Sequence, residues 1–169
     1  GIYAYEGIAT LSGTVSGNTA EAICAPGKAF ALGGAVYVNR GNIAISGGDY
    51  KDNKAIAQGA DARAEGGAIF IATNNTPGSP SLVLDPTAGD ITFSGNTIKM
   101  NDGTETPNAI HFGRETLDQN SLANAALTVQ NSLNNNNLVT IADGVTTDID
   151  NGKSFSMSQT ADSFLNWGG

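Results

Sequence analysis

Cysteine is all but missing from this chain. Cys24 stands alone, which excludes an internal disulfide and any cysteine cage for zinc. Its setting, EAICAPGKAF, offers only Lys28 as a local cation, too little positive charge for a reactive thiol, so it reads as a loop or half-buried residue. Histidine is equally scarce. His111 is the only one, so a multi-histidine metal site is excluded and a Ser-His-Asp triad could be built only through that residue. Basic residues are few as well: 8 Lys and Arg stand against 16 Asp and Glu, a net charge of −8. That balance repels a phosphate backbone or an anionic membrane, and no nucleic-acid partner is expected. No apolar run approaches the roughly 20 residues of a membrane helix, and no basic region followed by an apolar one opens the chain as a signal peptide would. Membrane insertion by this segment is not expected.

What is present suits short strands and tight turns. Charged residues make up only 14% of the 169 positions while glycine occupies 22, a composition unlike a helical bundle. The length is right for one domain with a real core.

The sequence repeats itself. Gly33-Gly34-Ala35-Val36-Tyr37 returns as Gly66-Gly67-Ala68-Ile69-Phe70, 33 residues on. Between these segments an apolar or aromatic residue stands three before an asparagine, in Val15 with Asn18, Tyr50 with Asn53, and Phe93 with Asn96. The asparagines are 35 and then 43 residues apart, so the period holds in the strand-like pieces and slips in the connectors 54–65 and 72–81, as loop insertions into a repetitive core do. Degenerate copies lie at either end: Gly1-Ile2-Tyr3 overlays Ala35-Val36-Tyr37, and Asn108-Ala109-Ile110-His111-Phe112 overlays Gly67-Ala68-Ile69-Phe70-Ile71. The chain therefore reads as a piece of a longer polypeptide that starts inside a repeat.

Each unit holds short alternating or continuous apolar segments, too β-branched and glycine-bounded for helices. This predicts an all-β chain, a right-handed parallel β-helix with three short strands per coil and loop insertions. Stacked coils about 4.8 Å apart would pair their strands and bury Val36, Ile43, Ile45 and Ile69 in a continuous column. The glycine pairs would turn a corner with positive φ and close backbone approach. The asparagines would sit in left-handed turns or stack as a ladder. Repeat-bearing coils are expected over 1–113. Over 114–169 they become less regular, with a short helix or irregular link at ETLDQNSLANAAL before alternating strands return.

Gly-Gly-Ala-[Ile/Val] paired with aromatic-x-x-Asn resembles the repeats of the chlamydial-type polymorphic membrane proteins and, more loosely, the passenger domains of autotransporter adhesins. Residues 33–36 and 66–69 carry the first motif; Phe93 and Asn96 carry the second, with Tyr50 and Asn53 a close variant and Val15 and Asn18 a weaker one. The resemblance covers about residues 1–113 and implies a passenger displayed on a bacterial surface, exported through a barrel that this segment lacks, and acting in adhesion or host contact.

Parallel β-helices also host polysaccharide lyases and hydrolases, which makes the acidic residues candidates for a catalytic grouping. A glycosidase needs two carboxylates about 5–9.5 Å apart. Asp49 and Asp52 straddle Tyr50, and Asp85 and Asp90 flank Pro-Thr-Ala-Gly, positions that read as turn residues. His111 occupies the register of Tyr37 and Phe70 and is expected on a partly exposed strand face. Asp148, Asp150 and Asn151 could collect oxygen ligands for calcium but match neither an EF-hand nor a nonapeptide roll. Asn74-Asn75-Thr76 is a formal glycosylation acceptor in a long connector. No catalytic residue, metal or cofactor is assigned. The expected role is that of a non-enzymatic cell-surface or secreted adhesin stalk. Its contact surfaces would be the loops 54–65 and 73–81, and its partner a protein or glycan on a host or neighbouring cell. Alternatives are a filament subunit that self-associates through coil ends, and a carbohydrate-active β-helix.

Overall fold

The computed structural model describes residues 1–73, 79–116, 124–149, 153–160 and 163–167. Among them there is no helix; the chain is all-β and its strands fall into three sheets, parallel but for one pairing. The chain makes repeated circuits through these sheets. The first circuit comprises β1 (Ile2–Leu11), β2 (Val15–Ser16) and β3 (Thr19–Leu32). The second comprises β4 (Val36–Ile45), β5 (Gly48–Lys51) and β6 (Lys54–Glu65). The third holds β7 (Ile69–Ala72), β8 (Ser81–Leu84), β9 (Ile91–Ser94), β10 (Thr97–Met100) and the short β11 (Thr106–Pro107). Then follow β12 (Ile110–Gly113), β13 (Ala125–Val129) and β14 (Leu138–Ile141), and after them β15 (Val145–Thr147), β16 (Phe155–Gln159) and β17 (Phe164–Trp167).

Strands at the same place in successive circuits pair side by side. Val36 sits opposite Ile69, Ile69 opposite Ile110, and Ile110 opposite Val145. On the next face Ile43 meets Leu82, which meets Leu127, and on the third Tyr50 meets Phe93, which meets Ile141. These residues point inward and form one contiguous apolar core. The reason is period 2: in strands such as β4, β7, β9, β12 and β13 apolar residues recur at every second position, and only this register keeps all of them on the same side. Ile2 opposite Val36 and Tyr3 opposite Tyr37 reproduce the overlay of the degenerate first copy. His111 opposite Phe70 does the same for the copy at 108–112.

The expectation of short strands fails in the first two circuits. β1 and β4 each have 10 residues because they run around a corner without a break. Glu6 and Arg40 take φ of 59° and 57° there, and the ladder resumes at Gly7 and Gly41. The front half of β4 pairs with β7 and the back half with β8, so one continuous strand in the second circuit becomes two in the third.

The connector reading of 54–65 is also corrected. These residues are the strand β6, paired with β3 nearly end to end, with one irregularity between Cys24 and Lys28. Cys24 accordingly lies in a strand and not in a connector, and its side chain is exposed. Each of the two strands doubles back at its midpoint, so that an outgoing and a returning half share a filling of Ala29, Ala31, Ala55, Ala57 and Ala64, a second core separate from the first. Gly59 sits where the halves converge: a Cβ on it would stand 2.6 Å from the Cys24 carbonyl oxygen and 2.7 Å from that of Gly27. The result is a thin double-layered arm, filled with the smallest side chains because nothing larger fits. In the third circuit β10 continues the outgoing half on β6, and β11 covers the other edge of β10 in antiparallel pairing. Pro107, which has no N–H to offer a further strand, ends the sheet there.

Candidate functional site

The glycine pairs shape the neck of this arm. Gly33 and Gly66 adopt φ of 72° and 62°, a region that side chains avoid, and a Cβ on either would run into the carbonyl of Val36 or Ile69. Gly34 and Gly67 have a different reason. A Cβ on Gly34 would collide with the carbonyls of Gly67 and Lys54, and on Gly67 it would lie 2.6 Å from the Thr97 nitrogen and 2.7 Å from the Asn108 oxygen. The returning half of each arm thus passes the root of the outgoing half at backbone contact. Ala35 and Ala68 follow directly, buried in the main core.

Beside the neck runs a ladder of side-chain amides. Asn18 Nδ2 donates to Asn53 Oδ1 at 3.0 Å and Asn53 Nδ2 to Asn96 Oδ1 at 3.0 Å. The backbone amides of Asn18 and Asn53 donate to the same two oxygens. The second hydrogen of each later amide reaches a backbone carbonyl, Val15 for Asn53 and Tyr50 for Asn96. The fourth rung is Asp143, whose Oδ2 accepts from Asn96 Nδ2 at 2.8 Å and from the Asn96 backbone at 2.9 Å. Sequence reading missed Asp143, because the fourth circuit carries Ala142-Asp143-Gly144 and no aromatic-x-x-Asn. The signal that could have found it is its spacing of 47 residues from Asn96. Tyr50 and Phe93 stack beneath the ladder with centroids 4.9 Å apart. The Tyr50 hydroxyl is buried without a hydrogen-bond partner, and burial pushes its pKa up to about 12.

On the outer side of the first sheet, Tyr3, Tyr37, Phe70 and His111 form a stacked column with centroids 5.4, 5.6 and 5.5 Å apart. His111 is not partly exposed as its register suggested; it retains 3% of its surface. The physical reason is the arm, whose returning half brings Arg63 and Glu65 over this face. Arg63, 6% exposed, bonds through Nη2 to Asp148 Oδ2 at 2.5 Å and through Nη1 to the Arg114 carbonyl, with Nε 3.5 Å from Glu65. His111 Nδ1 lies 3.0 Å from Glu65 Oε2, and Nε2 lies 3.5 Å from Asp148 Oδ1. Burial alone would raise the pKa of Asp148, but the facing His111 ring, the Arg63 charge and the Arg114 amide outweigh it and hold the carboxyl below its ordinary value. Gly113 leaves the room for this: a Cβ there would overlap both Asp148 Oδ1 and His111 Nε2. Two guanidinium groups among these acids make the cluster an ion-pair network and a poor seat for a cation.

The remaining acids are engaged locally. Asp49 pairs with Lys51 at 3.1 Å on β5, and Asp52 takes φ of 55° at the corner that follows. Asp85 accepts from the Ser132 amide at 2.9 Å and from Gln130 at 3.1 Å, which hold its pKa down although burial opposes them. Asp90 accepts from the Leu138 amide at 2.8 Å. Asp85 and Asp90 thus tie one circuit to the next, while Asp49 is paired within its own strand. Of the calcium reading, Asp148 is bound into the ion-pair network, while Asp150 and Asn151 lie outside the described residues, as do Asn74, Asn75 and Thr76. Of the short-helix reading, residues 117–123 lie outside them too, and β13 begins at Ala125.

The geometry defines a class: an all-β protein of laterally paired circuits, carrying an amide ladder, an alanine-filled arm and an ion-pair cluster at the arm's root. Its sequence is similar, over 49 residues at 51% identity, to the probable outer membrane protein pmp6 of Chlamydia pneumoniae. The similarity covers 29% of this chain and 3% of that protein, so the matched stretch is a small fraction of its relative. No family model matches the chain, and no solved structure does.

Proposed function

We propose that this chain is a section of a right-handed parallel β-helix in a non-enzymatic bacterial surface passenger, a rigid stalk that carries contact surfaces for another cell. The observation that carries the reading is the 51% identity with a chlamydial outer membrane protein. The circuits support the fold part: lateral parallel pairing of successive units is what a solenoid requires, and right-handed crossovers are the rule between parallel strands. Contact is placed on the arm. Its tip exposes Ile23, Cys24, Pro26, Lys28 and Asp61, and the adjoining hairpin exposes Met100 and Asp102, while its roots are fixed to the stalk by close backbone packing. Binding residues on a rigid support are the usual arrangement for recognition. The expected partner is a protein or glycan on a host or neighbouring cell.

The test is display of the 169-residue chain on beads, incubated with cultured epithelial cells and with a glycan array. The reading expects adherence well above that of bare beads, and a loss of most of it on I23D with M100D, two exposed changes that leave both cores intact. Adherence equal to bare beads, or unaffected by the double change, would overturn the placement of contact on the arm.

A further inference from the structure

His111 is the chain's only histidine, it is buried, and each of its ring nitrogens faces a carboxylate. We propose that it is a proton-operated latch, tying the root of the arm to the sheet face beneath through Glu65.

A neutral imidazole carries one N–H and an imidazolium two. Nδ1 has two neighbours, Glu65 Oε2 at 3.0 Å and Thr146 Oγ1 at 2.8 Å. The Thr146 oxygen already accepts from Asn108 Nδ2 at 2.8 Å, so its own hydrogen is available to an unprotonated Nδ1. The neutral state is then fixed: Nδ1 accepts from Thr146, Nε2 carries the hydrogen and faces Asp148 Oδ1 at 3.5 Å without a hydrogen-bond partner, and Glu65 is left with Arg63 alone among the groups of the cluster. Proton uptake turns Nδ1 into a donor. Glu65 then gains a charge-assisted hydrogen bond from β12, while Nε2 goes on facing Asp148.

The groups around the ring fix the charge balance. Arg63 and Glu65 come from β6, Phe70 stacks from β7, Asn108 and Arg114 flank β12, and Thr146 and Asp148 come from β15 and the residue after it. Two guanidinium groups offset two carboxylates, so the cluster is neutral with a neutral ring and carries one positive charge with an imidazolium. Arg63 holds Asp148 and the Arg114 carbonyl in both states, so the arm stays docked throughout. What the proton changes is the tether at Glu65, immediately before the neck, where the Gly66 amide donates to Asn108 Oδ1 at 2.9 Å and the Gly33 amide to the Glu65 carbonyl at 3.0 Å. Mild acid tightens the neck and neutral pH loosens it.

The test follows the His111 ring resonances by NMR from pH 8 to pH 5 on the whole 169-residue chain, together with hydrogen exchange of amides 65–67 corrected for intrinsic rate. In the wild type, protection of these amides rises about tenfold along the ring's titration curve, the effect of one charge-assisted bond. In E65Q the ring still titrates and the rise disappears; in H111F, which extends the Phe70 stack, the profile is flat. A rise that persists in E65Q, a flat wild-type profile across the ring's titration, or a ring that does not titrate in this range would each overturn the latch.

Discussion

At the scale of single residues, the amide ladder shows why asparagine recurs where aspartate or serine would also suit a turn. A carboxylate only accepts and a hydroxyl has a single hydrogen to give, whereas a primary amide accepts from the circuit before, donates to the circuit after and keeps a second N–H for a backbone carbonyl. Asn53 does both and reaches the Val15 carbonyl as well. N53A strands Asn18 on one side and Asn96 on the other, each unmade buried bond costing about 1–3 kcal/mol. The expected loss is about 3 kcal/mol in a urea unfolding titration, with the circuits on either side affected together. Tyr50 makes the reverse case. Its ring packs as Phe93 does, but its hydroxyl is buried with no hydrogen-bond partner. Y50F therefore removes a penalty and leaves the shape intact, and a gain of about 1 kcal/mol is expected by the same titration. A loss would show that the hydroxyl has a partner in solution.

At the scale of elements, two glycines with similar sequence surroundings part company. Gly13 has φ of 94° with open space around its Cβ position, whereas a Cβ on Gly34 meets two backbone carbonyls. G13A is expected to cost about 1 kcal/mol, the strain of a left-handed alanine. G34A has to separate β3 from the root of β6 and is expected to abolish the cooperative transition or cost several times more, as thermal unfolding by circular dichroism would record. The repeats were legible because their glycines and asparagines answer to backbone geometry that every circuit must meet, and the overlay of His111 on Phe70 gave the register of β12 on β7 directly. The arm was not legible. Its core is alanine, which carries little strand propensity and too little apolar bulk to register as a buried face, so 54–65 reads as a polar insertion. The burial of His111 was hidden for the same reason, since what covers it is that unrecognised arm. Asp143 escaped because it ends a pattern of asparagines and does not repeat one.

At the scale of the whole molecule, the arm and the stack are joined by charge as much as by packing, which makes acid the solvent variable to watch. Asp148 titrates lower in the folded chain than its ordinary 3.8, so the unfolded chain binds its proton more readily. Its contribution is complete above the unfolded value and is lost as the pH falls through the folded one, below about pH 4. Glu115, pushed up by burial, has the opposite slope, and stability from it falls as the pH rises through its folded value. D148N is therefore expected to lower the urea midpoint at pH 7 while the gap to wild type narrows at pH 3. A gap that stays constant would mean that Asp148 acts only through its shape.

The fourth rung of the ladder has a further consequence, for how such a chain can grow. Asparagine passes a hydrogen bond onward; aspartate receives one and has none to give. The ladder is thus a sentence with a direction and a full stop, and Asp143 is the full stop. A duplicated unit spliced in upstream, between Asn53 and Asn96, would find a donor waiting on one side and an acceptor on the other. The same unit placed after Asp143 would meet a side chain with no hydrogen to offer and would have the backbone amide alone to bond to. The side-chain ladder can be lengthened before this residue and not after it, although the paired strands themselves run on to β17.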